Sequence, residues 1–134
     1  MRFSVLIIIL IAFTFNSCKK IKGDAKEIEG TYEWAYSSST TYNGDHGSSS
    51  TSYQYPTADL RKAIKIQKRK VIFYENGKEV DSKFIRNFSS NKNGIGLSLG
   101  TEKKGYTLDY SDGILYMLIL PRQMNDFIHV YYKN

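Results

Sequence analysis

The chain has 134 residues, with 19 Lys and Arg against 13 Asp and Glu for a formal charge of +6, and 11 of its residues are tyrosine. A single cysteine excludes an internal disulfide framework, and one cysteine with two histidines makes no convincing metal site. The length allows one domain with one core, and abundant tyrosine with only two prolines favours pleated, half-buried surfaces over helices.

Met1-Arg2-Phe3-Ser4 opens the chain, followed by an apolar run from Val5 to Phe13. One positive charge before a short greasy segment is the layout of an export signal. The run is much shorter than the roughly 20 residues of a bilayer-spanning helix. The lone cysteine follows in Phe15-Asn16-Ser17-Cys18. This stretch resembles the lipobox of bacterial lipoproteins, in which a small residue precedes a cysteine that is acylated through sulfur and becomes the new N-terminus. The resemblance implies a lipoprotein signal peptide over 1–17 and a lipidation site at Cys18, with diacylglycerol on sulfur and a further acyl chain such as palmitate on the amine. Several chains hold a protein at a membrane essentially permanently, where one holds marginally. Lys19 stands where lipoproteins kept in the inner membrane often carry Asp, so the resemblance favours the outer membrane. No acidic run follows Cys18, which favours the periplasmic face. The competing readings are an uncleaved N-terminal anchor and a free surface thiol.

Residues 18–28 read as a lipidated tether, polar, charged and without period, with room for a brief helix from Asp24 to Glu29. The domain proper, 29–134, is predicted to be all β. Thr31 to Ser37 alternates with period two, so Tyr32, Trp34 and Tyr36 are expected on one inner face. Ser37 to Pro56 has no aliphatic residue, and Asn43-Gly44-Asp45-His46-Gly47 marks a turn. Two readings compete here. A mobile loop is favoured because nothing offsets the entropy of ordering; the other is a polar hairpin pairing Thr40–Tyr42 with Thr51–Tyr55. A strand is expected over Lys62–Gln67. Val71–Glu75, Asn76-Gly77 and Lys78–Val80 form a hairpin with a preferred two-residue turn, and its return strand runs on to Phe88. Ile95–Leu99 and Tyr106–Tyr110 alternate. Ser111-Asp112-Gly113 then turns the chain into Ile114–Leu120, a run apolar on both faces and so expected mid-sheet, covered from two sides. Phe127–Tyr132 closes the chain. About eight short strands in consecutive hairpins point to an antiparallel up-and-down meander or small barrel.

The opening Gly30-Thr31-Tyr32, with Trp34 two residues on, together with Thr107-Leu108-Asp109-Tyr110 and an aromatic last strand, resembles the small lipocalin-like domains of bacterial lipoproteins. That resemblance covers roughly Glu29 to Asn134. It implies a lipocalin-like barrel and a ligand-binding interior, for which Tyr32, Trp34, Tyr36, Phe84 and Leu97 are the candidate lining. Eight strands leave an interior just wide enough for side chains or for one small ligand.

No catalytic constellation emerges. His46 sits in the polar segment and His129 in the last strand, most acidic residues occupy turns, and no cofactor is implied. Arg61, Lys62, Lys65, Lys68, Arg69 and Lys70 place six cations within ten residues. One account is a solvated edge that discourages strand aggregation. The other is contact with an anionic membrane surface. For an exported protein the polyanions at hand are lipids and glycans, and nucleic acid is not expected. Two functions stay open: a membrane-tethered, non-catalytic binding module of the cell envelope for a small apolar or amphipathic ligand, and an envelope interaction or inhibitor subunit that uses the Ser/Thr/Tyr segment 37–56.

Overall fold

The computed structural model describes residues 24–43, 48–121 and 126–134. The signal segment 1–17, Cys18, the tether as far as residue 23, and His46 lie outside the described residues. A short helix α1 (Asp24–Ile28) leads into nine strands: β1 (Gly30–Asn43), β2 (Ser48–Gln54), β3 (Lys62–Gln67), β4 (Lys70–Glu75), β5 (Lys78–Asn91), β6 (Gly94–Thr101), β7 (Lys104–Ser111), β8 (Ile114–Leu120) and β9 (Ile128–Lys133).

Every ladder is antiparallel. The run from β3 to β9 proceeds by neighbours, and β1 closes it by pairing with both β3 and β9. The result is a closed eight-stranded barrel with one strand, β2, left over. Closure gives the backbone groups of the end strands a partner, which an open meander would leave as exposed edges. Local chemistry sets the hairpins. Asn76 and Gly77 both adopt positive φ (50° and 78°), as a two-residue turn matched to strand twist requires.

Side chains fill the interior. Tyr32, Ile64, Ile66, Val71, Leu97, Leu99, Leu108, Leu115 and Tyr131 are all buried. Full burial is worth about 1.5–3 kcal/mol for each large apolar side chain, so this stack is the main source of the fold's stability. One end of the barrel, here called lower, carries α1 and the β3–β4, β5–β6 and β7–β8 turns. It is plugged by Ile28, whose carbonyl accepts a 2.7 Å hydrogen bond from the buried Tyr32 hydroxyl. Tyr110 meets Tyr32 edge-on at 6.1 Å, and Lys133 Nζ lies 5.9 Å from both ring centres. Gly30 starts β1 at φ 145°, and a Cβ there would meet Lys133 Cε at 3.0 Å, so the plug closes over a glycine. The upper end carries the β4–β5 and β6–β7 turns and the mouth.

Three expectations differ from the structure. The described residues of 37–56 form the competing polar hairpin and not the favoured mobile loop. Ser37–Asn43 pairs with Ser48–Gln54 over seven registered positions, beginning at Ser37↔Gln54 and ending at Asn43↔Ser48. Backbone pairing and continuity with the barrel wall supply the ordering that the side chains cannot. The β8 run is not covered from two sides. Leu115 and Met117 face the core, while Tyr116 is exposed on the outer wall and Ile119 at the rim, because a barrel wall has one interior only. Finally, Tyr32, Trp34 and Tyr36 do not share a face. The ladder with β9 runs Trp34↔Tyr131 and then Tyr36↔Val130, so Ala35 is an extra residue. This bulge flips the alternation: Tyr32 and Trp34 point in, Tyr36 points out, and Ser37 and Ser39 take the inward positions.

Candidate functional site

The bulge at Ala35 creates two neighbouring features, one on each side of the wall. Outside, Tyr36 is laid against the aromatic rings of the arm formed by β2 and the end of β1 that pairs with it, Ser37–Asn43. Its ring centre lies 6.1 Å from that of Tyr53 and 6.3 Å from that of Tyr55, and those two stack at 6.2 Å with 21° between planes. Tyr53 and Tyr55 sit two apart in sequence and so share one face of β2 and its continuation. On the other flank Tyr36 registers with Val130, and Val130 with Tyr116, while Tyr132 lies next along β9. Partial burial first, and then the phenols of Tyr132, Tyr116, Tyr53 and Tyr55, raise the Tyr36 pKa above its ordinary value. Five tyrosines thus form one outward face around a buried valine. Tyr53 and Tyr55 remain 55% and 61% exposed, and Tyr116 and Tyr132 are exposed as well.

The arm that carries this face is unprotected. From Ser37 onward β1 is laddered to β2, beyond Ser38 it has no ladder to β9, and β2 is the edge strand of the sheet. Its sequence, Ser48-Ser-Ser-Thr-Ser-Tyr-Gln54, contains no charge and no proline, the devices by which edge strands normally repel a further strand.

Inside, the same bulge turns Ser37 toward the barrel mouth. Trp34 Nε1 donates to Ser37 Oγ at 2.9 Å, and Ser37 Oγ lies 2.6 Å from His129 Nδ1. Ser37 Oγ thus joins the indole to the imidazole, accepting from Nε1 and pairing with Nδ1, with the donor in that second contact set by the imidazole tautomer. Burial, then the Lys62 ammonium, holds the His129 pKa below its ordinary value. Lys62 also lies over the Trp34 ring at 5.1 Å. Around this chain the mouth encloses about 190 Å³, bounded by Phe73, Tyr106, Met117, His129 and Tyr131 among others.

Of the five residues expected to line a ligand interior, Tyr32, Trp34 and Leu97 are inside and packed. Tyr36 is outside for the reason given. Phe84 is also outside, 75% exposed, because β5 turns Ile85 inward against Leu99 and pairs Phe84 with Lys70 on the outer wall. The inward Ile85 satisfies the core, which leaves its bulky neighbour in water. The five therefore do not converge on one cavity.

The six cations separate as well. Arg61 and Lys62 belong to the upper end, where Arg61 N–H donates to Asn76 Oδ1 at 2.8 Å and Lys62 turns inward. Lys65 lies mid-barrel beside Thr31 and Glu33, in an outer groove of about 750 Å³ beneath the 56–58 segment. Lys68, Arg69 and Lys70 form the β3–β4 corner at the lower end. Sequence reasoning reached Tyr53 and Tyr55 only as part of the Ser/Thr/Tyr segment 37–56 and did not single out Tyr116 or Tyr132. The Tyr-x-Tyr at 53–55 and the count of 11 tyrosines were the available signals.

Among the described residues, no group of three or more His, Cys, Asp or Glu could hold a metal ion. Among them, too, no helix is long and apolar enough to cross a membrane. No protein-family model, curated protein or solved structure matches the chain.

Proposed function

We propose that this chain is a lipid-anchored, non-catalytic interaction module of the bacterial cell envelope, tethered through Cys18 and holding a protein partner on its tyrosine-faced arm. The observation that carries the reading is the outward cluster in which Tyr53 and Tyr55 of the projecting β1–β2 hairpin join Tyr36, Tyr116 and Tyr132 of the barrel wall. Tyrosine offers large, rigid, amphipathic contact area at low entropic cost, and serine around it supplies adaptable hydrogen bonds, a combination typical of binding loops. The open edge of β2 adds a main-chain ladder that a partner strand could extend. The lipobox-like Phe15-Asn16-Ser17-Cys18 supports the anchor, and the closed eight-stranded barrel with Gly30-Thr31-Tyr32 at its start supports the lipocalin-like reading.

Inside the barrel, a small-ligand function draws support from one feature, the mouth beside His129. Its 190 Å³ is below the roughly 300–1,000 Å³ of ordinary small-molecule sites, so a ligand there is far smaller than a fatty acid.

The test is photo-crosslinking in intact cells from a reactive group placed at Tyr53. A single envelope protein is expected to crosslink, and Tyr36→Ser with Tyr55→Ser is expected to abolish it while the barrel's thermal midpoint stays put. Crosslinking that ignores these substitutions overturns the assignment of the surface. Absence of palmitate label on wild type, with label expected to vanish in Cys18→Ala, overturns the anchor.

A further inference from the structure

The lower end of the barrel carries an exposed apolar side chain inside a basic corner. Phe84, 75% exposed, registers with Lys70 on the outer wall, and the Ile85 N–H donates to the Arg69 carbonyl at 2.8 Å. Phe84, Ile72, Gln67, Lys68, Arg69 and Lys70 surround a groove of about 410 Å³. Lys68 adopts φ 56° and donates its backbone N–H to Glu29 Oε1 at 3.1 Å, which fixes the turn against the start of β1. Lys26, Lys92 and Lys133 stand at the same end of the molecule, as do Asp24, Glu27, Glu29 and Asp112. With Lys68, Arg69 and Lys70 that makes six cations against four acidic residues among the described residues, and Glu29 is occupied by the turn.

The chain also enters at this end. Five residues, Lys19 to Gly23, separate Cys18 from α1. At about 3.3–3.6 Å each they span roughly 18 Å at most. We infer that the Phe84 and Lys68-Arg69-Lys70 corner is a membrane-docking surface, which rests on an anionic phospholipid bilayer with Phe84 inserted among the headgroups. The inference rests on the tethered reading above, because an anchor on Cys18 brings this corner within reach of lipid and points the tyrosine arm away from it. The chemistry is that of a basic, aromatic-tipped interface: cations near an anionic surface attract its phosphates over about a Debye length, and an aromatic ring prefers the headgroup level to water.

The experiment uses the chain from Lys19 onward, which contains α1 and every strand of the closed barrel and carries no acyl group. Co-sedimentation is measured with phosphatidylcholine vesicles and with vesicles in which phosphatidylglycerol is mixed. Binding is expected only to the second kind, and it should fall as salt rises. Replacing Lys68, Arg69 and Lys70 by serine should weaken it about 100-fold, from about fivefold per charge. Phe84→Ser should cost about tenfold more, and Arg61→Ser at the opposite end should change nothing. Phe84→Trp should bind at least as well and shift its emission to the blue on contact with vesicles. Equal binding to both vesicle types, no binding to either, or indifference to the triple substitution overturns the inference. Because the acyl group and the tyrosine partner are both absent from this assay, its failure is separate from theirs.

Discussion

Replacing Ser37 with alanine removes the oxygen on which Trp34 and His129 converge. Ser37 is fully buried and Trp34 nearly so, and the indole N–H is left behind without its acceptor. A buried donor without a partner costs about 1–3 kcal/mol. A domain of this size loses about 4 °C in midpoint for each kcal/mol, so Ser37→Ala should melt about 4–12 °C lower. Thermal unfolding followed by circular dichroism measures this, and the emission of the one tryptophan reports on the site itself. The pH profile supplies a second reading. Folding lowers the His129 pKa, by burial first and by Lys62 second, so the unfolded chain takes up the proton more readily. The stability this group contributes is therefore present above the unfolded value of about 6.5 and is lost as pH falls through the folded one. The difference between wild type and His129→Gln isolates this component from other groups. A midpoint within about 1 °C of wild type, with unchanged tryptophan emission, would refute the claim that the bulge is held by this hydrogen-bonded chain.

Tyr32→Phe deprives the Ile28 carbonyl of its donor at the lower plug; a loss of about 1–3 kcal/mol is expected, with faster hydrogen exchange in α1, whereas Tyr42→Phe on the exposed arm should be silent. If α1 exchanges at the wild-type rate, the hydroxyl is not what seats the plug. Asn76→Gly keeps a residue able to adopt the positive φ of the β4–β5 turn but loses two side-chain bonds, one from Arg61 N–H at 2.8 Å and one to the Asp59 carbonyl at 2.9 Å. Limited proteolysis across 55–61 should quicken several-fold, from about 0.5–1.5 kcal/mol per bond, with little change in core exchange; cleavage at the wild-type rate would mean that the 56–61 segment is held by something else.

Much of the barrel was legible because its strands speak for themselves. Leu97 and Leu99, or Leu115 and Met117, sit at period two and are all inward. Asn76-Gly77 demands a hairpin wherever it lies between two such runs. The candidate surfaces were less legible. Tyr36 reads as a core residue on alternation alone, and so does Phe84 by the company it keeps. The segment 37–56 reads as unstructured by composition. Each of these readings treats a strand as if its own side chains decided its fate.

For this chain, then, local pattern by itself determined the β class, the number and order of the ring's hairpins, and most of the residues that fill the interior. Alternation and turn chemistry act within a few residues, so they need no knowledge of the rest. Tertiary structure alone decided that β1 closes on β9, that Ala35 is squeezed out of register so that Tyr36 faces water and Ser37 the mouth, and that Phe84 yields the core to Ile85. Those outcomes depend on which strand lies alongside, a contact between residues about ninety positions apart in the case of Ser37 and His129, and no local period encodes a neighbour that distant.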